Sequence, residues 1–301
     1  MVAPAFEYAA ADSYDEAVRL LAEGGEEAKV LAGGQSLMPM LNLRLVRPEL
    51  LIDINMADDR QPSVADGLLR LPAVTRHRVL LEHDLVRRDC PLLAEAARHI
   101  GNVRVRNRGT VGGSLAHADP TSEIGSCALA TGAHVVVRGQ DGDRTVPASE
   151  LFVGYWTTAL APSEIITDVL IPVRRPWQGW SFQEMVRRTS DFAIVAVAAL
   201  VELDERAATI TGTRVALAGV ADRVTLVDPE LLDGLAGRTL ADQDEAADAA
   251  AARIADGLEP PDDVHASARY RRRLARVLTA RALREAYARA AGAPGRKRGP
   301  A

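Results

Sequence analysis

The sequence predicts a protein of mixed helices and strands in two domains, and three observations support this. A chain of 301 residues is long enough for roughly two domains of about 150 residues each. Up to Pro172, short β-branched or apolar runs alternate with capped helical patterns. Pro172, Pro176 and the two tryptophans around Gly179 then mark a shift in composition, after which three strand patterns lead into an alanine-rich helical region.

Composition and charge restrict the class of protein. The chain is 48% apolar and 26% charged, as is ordinary for a soluble globular protein, and its net charge of -5 gives no reason to expect nucleic acid or an anionic membrane. No apolar run approaches the roughly 20 residues that span a bilayer, and no signal peptide is visible, so we expect a cytoplasmic protein. Cys90 and Cys127 are too few to ligate an iron–sulfur cluster or a structural zinc ion, and we expect both to be buried.

The first predicted elements lead towards a glycine-rich turn. Ser13 and Glu16 form a capping-box pattern, which predicts a helix that ends at Gly24-Gly25. Short apolar runs at residues 29–32 and 50–54 then predict two strands.

Two glycine pairs, each followed by a hydroxyl residue, are candidates for anion binding. Gly33-Gly34 follows the first predicted strand and precedes Ser36, and Gly112-Gly113 precedes Ser114. Glycine permits positive φ and close approach of a ligand, and consecutive N–H groups in such a turn form a concave anion site. One pair alone is more often a bare β-turn, but two such turns could hold the two phosphates of one dinucleotide.

The region between the glycine pairs contains a strand pattern and two helical patterns. Residues 67–74 predict a strand, Thr75 is a candidate N-cap for a helix to Leu81, and residues 90–100 form a helical pattern. Arginines alternate at Arg104–Arg108, which predicts an extended segment with a basic face. That face is either a solvated strand edge or a surface turned to a phosphate or a partner subunit.

The remaining patterns continue this organisation. A helix is predicted over residues 123–130, a hairpin around Asp141-Gly142, and a strand at 165–171. The later region predicts strands at 180–187, 194–203 and 213–221, helices at 242–255 and 264–291, and a disordered tail at 292–301. The long last helix carries five arginines over most of its circumference, which indicates a solvated or interface helix: Arg269, Arg271, Arg272, Arg273 and Arg276.

Familiar catalytic motifs are absent from the sequence. It contains no G-x-G-x-x-G after a strand, no P-loop, no G-x-S-x-G and no H-E-x-x-H, and its histidines show no metal-ligand spacing. His117 is notable only for its position, a few residues after the second glycine pair. A single histidine there is more often a hydrogen-bonded structural residue, but next to a flavin it could contact the ligand. This pattern fits a bound redox cofactor that supplies the chemistry itself.

Several motifs together resemble one family. They are AGGQSL at 32–37, RP at 47–48, LIDI at 51–54, VRNRGTVGGS at 105–114 and AHADP at 116–120. The chain is similar, over nearly its whole length, to the FAD-binding medium subunits of molybdenum hydroxylases, as in aerobic carbon monoxide dehydrogenase, and to the flavin domain of xanthine dehydrogenase.

The resemblance implies an α+β fold. Residues 1–175 would form a two-lobed FAD-binding domain of the vanillyl-alcohol-oxidase (PCMH) type, with lobes of about 1–55 and 56–175. Residues 176–291 would form a C-terminal domain with a three-stranded antiparallel sheet and helices.

The resemblance also implies a set of cofactor-binding residues and no catalytic residues. The pyrophosphate would lie over Ala32–Leu37 and Thr110–Ser114. Together with the cofactor-binding residues beside them, these stretches form what we call the first glycine segment (residues 31–37) and the second glycine segment (residues 109–116). The residues implied there are Leu31, Ala32, Gly33, Gly34, Gln35, Ser36, Leu37, Gly109, Thr110, Gly112, Gly113, Ser114 and Ala116.

Further contacts are implied outside the glycine segments. His117 and Glu123 would lie near the ribityl chain and the adenosine end, Ile165 and Ile166 would line the flavin or adenine pocket, and Asp191-Phe192 would reach the isoalloxazine ring. Related chains often carry a lysine just before the Arg187-Arg188 pair. This chain has Gln183-Glu184 there, so that lysine contact is not expected.

The resemblance implies FAD in this chain and the other redox groups in partner chains. An iron–sulfur small subunit would carry [2Fe-2S] clusters and a large subunit the molybdopterin, as a dimer of heterotrimers. A self-contained flavin oxidase of the same fold is the alternative function, and a non-redox nucleotide-binding protein is a weaker one. The substrate stays open between carbon monoxide, a purine, an aldehyde and an N-heterocycle, because the molybdenum subunit selects it. The electron acceptor also stays open.

Overall fold

The first sheet brings three parallel strands together at the N-terminal side of the first glycine segment. The computed structural model describes residues 3–204, 209–239 and 243–292. The first elements are β1 (Glu7–Ala10), α1 (Tyr14–Gly24), a 3₁₀ turn (Gly25–Glu27), β2 (Ala28–Leu31), α2 (Leu37–Asn42) and β3 (Leu50–Asp53). The strand order is β1-β3-β2, and both pairs are parallel. As predicted, Ser13 caps α1 by accepting from the N–H of Glu16.

A second, five-stranded antiparallel sheet follows, with most of its helices inserted between β5 and β6. Its strands run in the order β4-β5-β10-β6-β7. The elements are β4 (Ser63–Ala65), β5 (Leu68–Pro72), α3 (His77–Glu82), α4 (Asp84–Asp89), α5 (Pro91–Ala96), α6 (Val103–Arg108), α7 (Val111–His117), α8 (Glu123–Thr131), β6 (His134–Gly139), β7 (Gly142–Pro147), α9 (Ala148–Leu151), β8 (Phe152–Gly154), β9 (Thr157–Thr158) and β10 (Ile165–Pro172).

The third sheet packs against helices on both faces. Its elements are β11 (Gln178–Val186), β12 (Ala193–Leu203), β13 (Ile210–Ala218), β14 (Thr225–Leu226), a 3₁₀ helix (Pro229–Leu235), α10 (Gln243–Asp256) and α11 (Ala268–Ala291). On β12, Ala196 and Ala198 belong to the core shared with α5 and α8, whereas Val195 and Val197 belong to the core shared with α10 and α11. Burial of both faces explains why β12 is almost continuously apolar.

The α+β prediction is confirmed, but the C-terminal sheet has one more strand than expected. The short β14 adds a fourth strand, in the order β11-β12-β13-β14. Two residues are too few to give a strand pattern in the sequence. The prediction that Cys90 and Cys127 are buried thiols is confirmed. No helix among the described residues is long and apolar enough to cross a membrane.

One prediction about arginines was wrong, and a second fails at a single residue, since four of the five arginines singled out on the last helix are exposed, as expected, and only Arg271 is buried. Arg104–Arg108 lies in helix α6, because Asn102 caps it by accepting from the N–H groups of Arg104 and Val105. On α11, Arg271 is only 4% exposed. It donates to the carbonyl oxygens of Ile194 and Gly219 and pairs with Asp263, and so joins β12 and the end of β13 to the chain before α11.

Two smaller predictions also differ from the structure. Arg76, not Thr75, occupies the N-cap position of α3. The predicted disordered tail lies outside the described residues, apart from Gly292 at the end of α11.

Candidate functional site

The two glycine segments meet in the structure. A Cβ added to Gly33 would lie 2.7 Å from the Cα of Gly109 and would collide with the carbonyl group of Arg108. A Cβ added to Gly113 would lie 2.6 Å from Thr110 Oγ1 and 3.8 Å from the Cβ of Ala32. Glycine is therefore needed at position 33 because the backbone of Arg108 and Gly109 packs against it, and at position 113 because the side chain of Thr110 does. The expectation that these glycines provide positive φ is confirmed at Gly34, where φ is +72°, but not at Gly33, Gly112 or Gly113.

The first glycine segment presents a row of backbone donors. The chain leaves β2 at Leu31, turns at Gly34 and enters α2 at Leu37. Within the described residues, the N–H groups from Gly33 to Leu37 have no assigned protein acceptor, whereas Met38 N–H already donates to the carbonyl of Gly34. Consecutive donors in such a turn form an anion-binding concavity, so this donor set fits a dinucleotide pyrophosphate. Gln35 and Ser36 are exposed beside them.

The second glycine segment is not a turn, as the sequence suggested, but the first turn of α7. Thr110 is its N-cap and accepts from the N–H of Gly113. Val111 and Gly112 donate their N–H groups to the carbonyl oxygens of Thr75 and Ala73. These amides are therefore already satisfied, and the second segment forms a wall of the site rather than a second row of free donors.

Two side chains that the sequence did not indicate tie the segments together. Asn55 Nδ2 donates to the carbonyl oxygen of Ala32 at 2.8 Å. Arg76 donates to Asn55 Oδ1 and to the carbonyl oxygen of Arg108. This chain of hydrogen bonds joins the turn after β2 to the end of α6, and we call it the Asn55–Arg76 bridge.

A buried histidine supports the second segment from below. His77 is 3% exposed, and its Nε2 lies 3.0 Å from both the carbonyl oxygen of Thr110 and Ser114 Oγ. A carbonyl oxygen can only accept, so Nε2 carries the hydrogen and donates to Thr110. Burial lowers the pKa of His77 to about 4, so the ring is neutral near pH 7. Nothing in the sequence distinguished His77 from the other histidines.

The structure places several predicted residues against the glycine segments. Ile165 lies in the apolar cluster that contains Ala32, and Ile166 lies in the cluster that contains Val111 and Leu115 of α7. Both isoleucines are buried core residues, with 4% and 3% exposure. Strand β10 therefore supports both segments.

His117 and Glu123 stand at helix ends beyond the second segment. His117 is the last residue of α7, 4.0 Å from Asp119, and burial lowers its pKa. Glu123 is the first residue of α8, and burial raises the pKa of its carboxyl group to about 8. Compared with exposed residues of the same type, His117 therefore loses its proton at a lower pH and Glu123 keeps its proton to a higher pH.

Asp191 and Phe192 lie apart from this group. They follow β11, beside Ser190 with φ of +70°, and Phe192 is 73% exposed. Among the described residues, no hydrogen bond connects either one to a glycine segment. Glu184 stands where related chains carry the lysine, its side chain is 3% exposed, and its Oε2 accepts from His99 Nδ1 at 3.0 Å. A buried carboxyl paired with a histidine is not equivalent to a lysine that reaches a ligand.

The fold and the free N–H groups of the first glycine segment define a protein that binds a nucleotide cofactor. Comparisons with known proteins also indicate such a protein. Residues 4–174 match the family described as "FAD binding domain in molybdopterin dehydrogenase", and residues 180–286 match "CO dehydrogenase flavoprotein C-terminal domain". The chain is 40% identical over 295 residues to the 6-hydroxypseudooxynicotine dehydrogenase complex subunit alpha of Paenarthrobacter nicotinovorans, covering 96% of this chain and 97% of that one.

Solved structures show the same similarity. A chain of carbon monoxide dehydrogenase from Hydrogenophaga pseudoflava superposes with a TM-score of 0.92 at 36% identity, covering 96% of this chain and 99% of that one. A chain of quinoline 2-oxidoreductase from Pseudomonas putida 86 superposes with a TM-score of 0.90 at 33% identity, with the same coverage. The chain belongs to the FAD-binding medium subunits of the molybdenum hydroxylase family, and is a flavoprotein component of that class of oxidoreductase.

Proposed function

We propose that this chain is the electron-transfer subunit of a molybdenum hydroxylase complex. Its FAD would take electrons from iron–sulfur clusters in a small partner subunit and pass them to an external acceptor, while a large molybdopterin subunit oxidises the substrate. The observation that carries the proposal is the row of free N–H groups from Gly33 to Leu37, closed by the second glycine segment. Bound FAD supplies exchange of one or two electrons, and this chain positions and tunes it.

The roles proposed for individual residues combine the family resemblance with their positions in the fold. The free donors of the first glycine segment would bind the pyrophosphate, with Thr110 and Ser114 at the facing wall. Ile165 and Ile166 would form the apolar support beneath it, and His117 and Glu123 would lie along the cofactor. Asp191 and Phe192 would contact the isoalloxazine ring of FAD. The side chain of Phe192 is exposed and is therefore free to pack against that ring.

The organisation of the complex is part of the same proposal. Residues 1–175 would be the FAD-binding domain and residues 176–291 the C-terminal domain, and the chain would assemble as a dimer of heterotrimers in the cytoplasm. Relatives with matching length are named as medium chains or as subunits of dehydrogenase complexes. These names, and the coverage of 97% or more of each relative by this chain, support the proposal here.

Purification from the native host tests this function. A tagged chain should bring down two other polypeptides together with iron and molybdenum, and the complex should oxidise its substrate. The same chain produced alone and loaded with FAD is the control. If the FAD-loaded chain alone turned over a small substrate as fast as the native preparation, with no iron or molybdenum present, the chain would be a self-contained flavin oxidase and the proposal would be wrong.

A further inference from the structure

A cavity lies where the helices of the second sheet meet the third sheet, and none of its lining residues belongs to a glycine segment. Its volume is about 350 Å³, within the range of small-molecule sites. Its wall is formed by the start of α5, the end of α8, the chain after β10 and strands β11 to β13. The residues that line it are Asp89, Cys90, Pro91, Leu92, Thr131, Gly132, Pro172, Val173, Arg174, Arg175, Gln178, Trp180, Leu200, Glu202 and Arg214.

Arg174 has a hydrogen-bonding group in this wall with no protein partner. Its Nε is buried and has no acceptor within the described residues, although Nη1 donates to the carbonyl oxygen of Gln178 at 3.2 Å. The guanidinium lies 5.5 Å from the ring centroid of Trp180, which holds it in place. A buried N–H without an acceptor is costly, so an acceptor in the cavity would stabilise it.

Arg214 adds a second guanidinium without a carboxylate partner. Its Nε and Nη2 donate to the last carbonyl oxygens of α8, those of Ala130 and Leu129, both at 2.9 Å. Among the described residues, neither Arg174 nor Arg214 forms an ion pair. These two groups can therefore offer charge to a ligand.

The two acids in the wall are already neutralised by other arginines. Asp89 pairs with Arg88 at 2.7 Å, and Glu202 pairs with Arg175 at 3.2 Å. The cavity is therefore electropositive through Arg174 and Arg214. Its remaining surface includes apolar side chains such as Leu92 and Leu200.

We propose that this cavity binds a small organic carboxylate, with its carboxylate on Arg174 and Arg214 and its apolar part against Leu92 and Leu200. Arginine favours carboxylates because the planar guanidinium can donate two parallel hydrogen bonds. An apolar portion would displace water from the leucine side of the cavity. Because no glycine-segment residue lines the cavity, we expect the carboxylate and FAD to occupy different sites.

Calorimetric titration of the full-length chain with benzoate, in chloride-free buffer, tests the proposal. Benzoate should bind saturably. Arg174→Gln and Arg214→Gln should each weaken binding by about tenfold or more, because each removes a charged hydrogen bond. Arg144→Gln is the matched control, since Arg144 is an exposed arginine that pairs with Glu164 outside the cavity. FAD content should be the same in all four proteins, which separates this test from that of the proposed function.

Three results would overturn the proposal. They are no saturable binding of benzoate by the wild type, equal binding by the wild type and both cavity variants, and binding of inorganic phosphate as tight as that of benzoate. The last would mean that the apolar wall is not recognised and that the cavity is a site for inorganic anions. Because the two cavity arginines are on different elements, one variant still tests the site if the other fails to fold.

Discussion

Gly33 and Gly109 lie so close that a Cβ on Gly33 would come within 2.7 Å of the Cα of Gly109. The two residues are 76 positions apart in the sequence, yet their contact closes the candidate cofactor site. Backbone approaches this close require glycine at the crossing point. The contact explains why each glycine segment is needed for the shape of the other.

Gly33→Ala should separate the two glycine segments. The added methyl group meets backbone atoms, which cannot rotate away, so we expect a loss of about 1–3 kcal/mol in the free energy of unfolding and a marked loss of bound FAD. Gly257→Ala is the control, because its Cβ would have no neighbour closer than 3.7 Å. Urea unfolding and FAD content after gel filtration measure both effects. Wild-type values for Gly33→Ala would show that the contact is not tight in the folded protein.

The Asn55–Arg76 bridge should support FAD binding without touching the pyrophosphate donors. Arg76→Ala leaves Asn55 Oδ1 and the carbonyl oxygen of Arg108 without this donor, and we expect a cost of about 1–3 kcal/mol together with weaker FAD binding. Arg78→Ala is the control, because Arg78 is an exposed neighbour that pairs only loosely with Glu82. Equal FAD affinity in the two variants would mean that the Asn55–Arg76 bridge does not contribute to FAD binding.

The sequence predicted the separate parts of this site but not how they are joined. Glycine pairs are visible in a sequence because of their composition, whereas the contact of Gly33 with Gly109 depends on how distant parts of the chain pack. Nothing local indicated Arg76 or His77. The bridge depends on side-chain directions that follow only from the folded backbone.

The error at α6 has a different physical cause. Alternating arginines at Arg104–Arg108 matched the period of a strand, and a six-residue helix is too short to show its own period clearly. Asn102 was the usable signal, because an asparagine that accepts from the next N–H groups begins a helix. In the third sheet, by contrast, the long apolar runs predicted β11, β12 and β13 well.

Two partly buried groups should make the protein less stable as the pH rises between 4.5 and about 8. The hydrogen bond to Glu184 raises the pKa of His99, and burial raises the pKa of Glu123 to about 8, also through repulsion from Glu184 and Asp119 and despite attraction from His99. A group whose pKa is raised on folding stabilises the folded state fully below its ordinary pKa. That ordinary pKa is 4.5 for Glu123 and 6.5 for His99. The stabilisation is lost as the pH rises through the pKa of the folded state.

Glu123→Gln should therefore flatten the fall in stability of the FAD-free chain between about pH 5 and pH 8. His77 acts in the opposite direction, because its lowered pKa costs stability as the pH falls from 6.5 towards 4. Urea unfolding across this pH range measures the slope, with Glu150→Gln as a control at an exposed carboxylate. A slope in Glu123→Gln as steep as in the wild type would contradict the assignment of Glu123 as a buried, protonated acid.

FAD should be held without a covalent bond. The first glycine segment contains neither histidine nor cysteine, and both cysteines of the chain are buried thiols. Acid precipitation of the yellow protein should release the chromophore into the supernatant as FAD. Colour that stayed with the precipitate would show a covalent flavin and would favour the oxidase alternative.

Anaerobic mixing tests the central claim, that this chain is an electron-transfer subunit, most directly. The FAD-loaded chain is mixed with the substrate of the native complex, first alone and then with the iron–sulfur and molybdopterin partners, while the visible absorbance of the flavin is followed. The account predicts no bleaching of the flavin with the chain alone and rapid bleaching once both partners are present. Equally rapid bleaching by substrate in the isolated chain would contradict it.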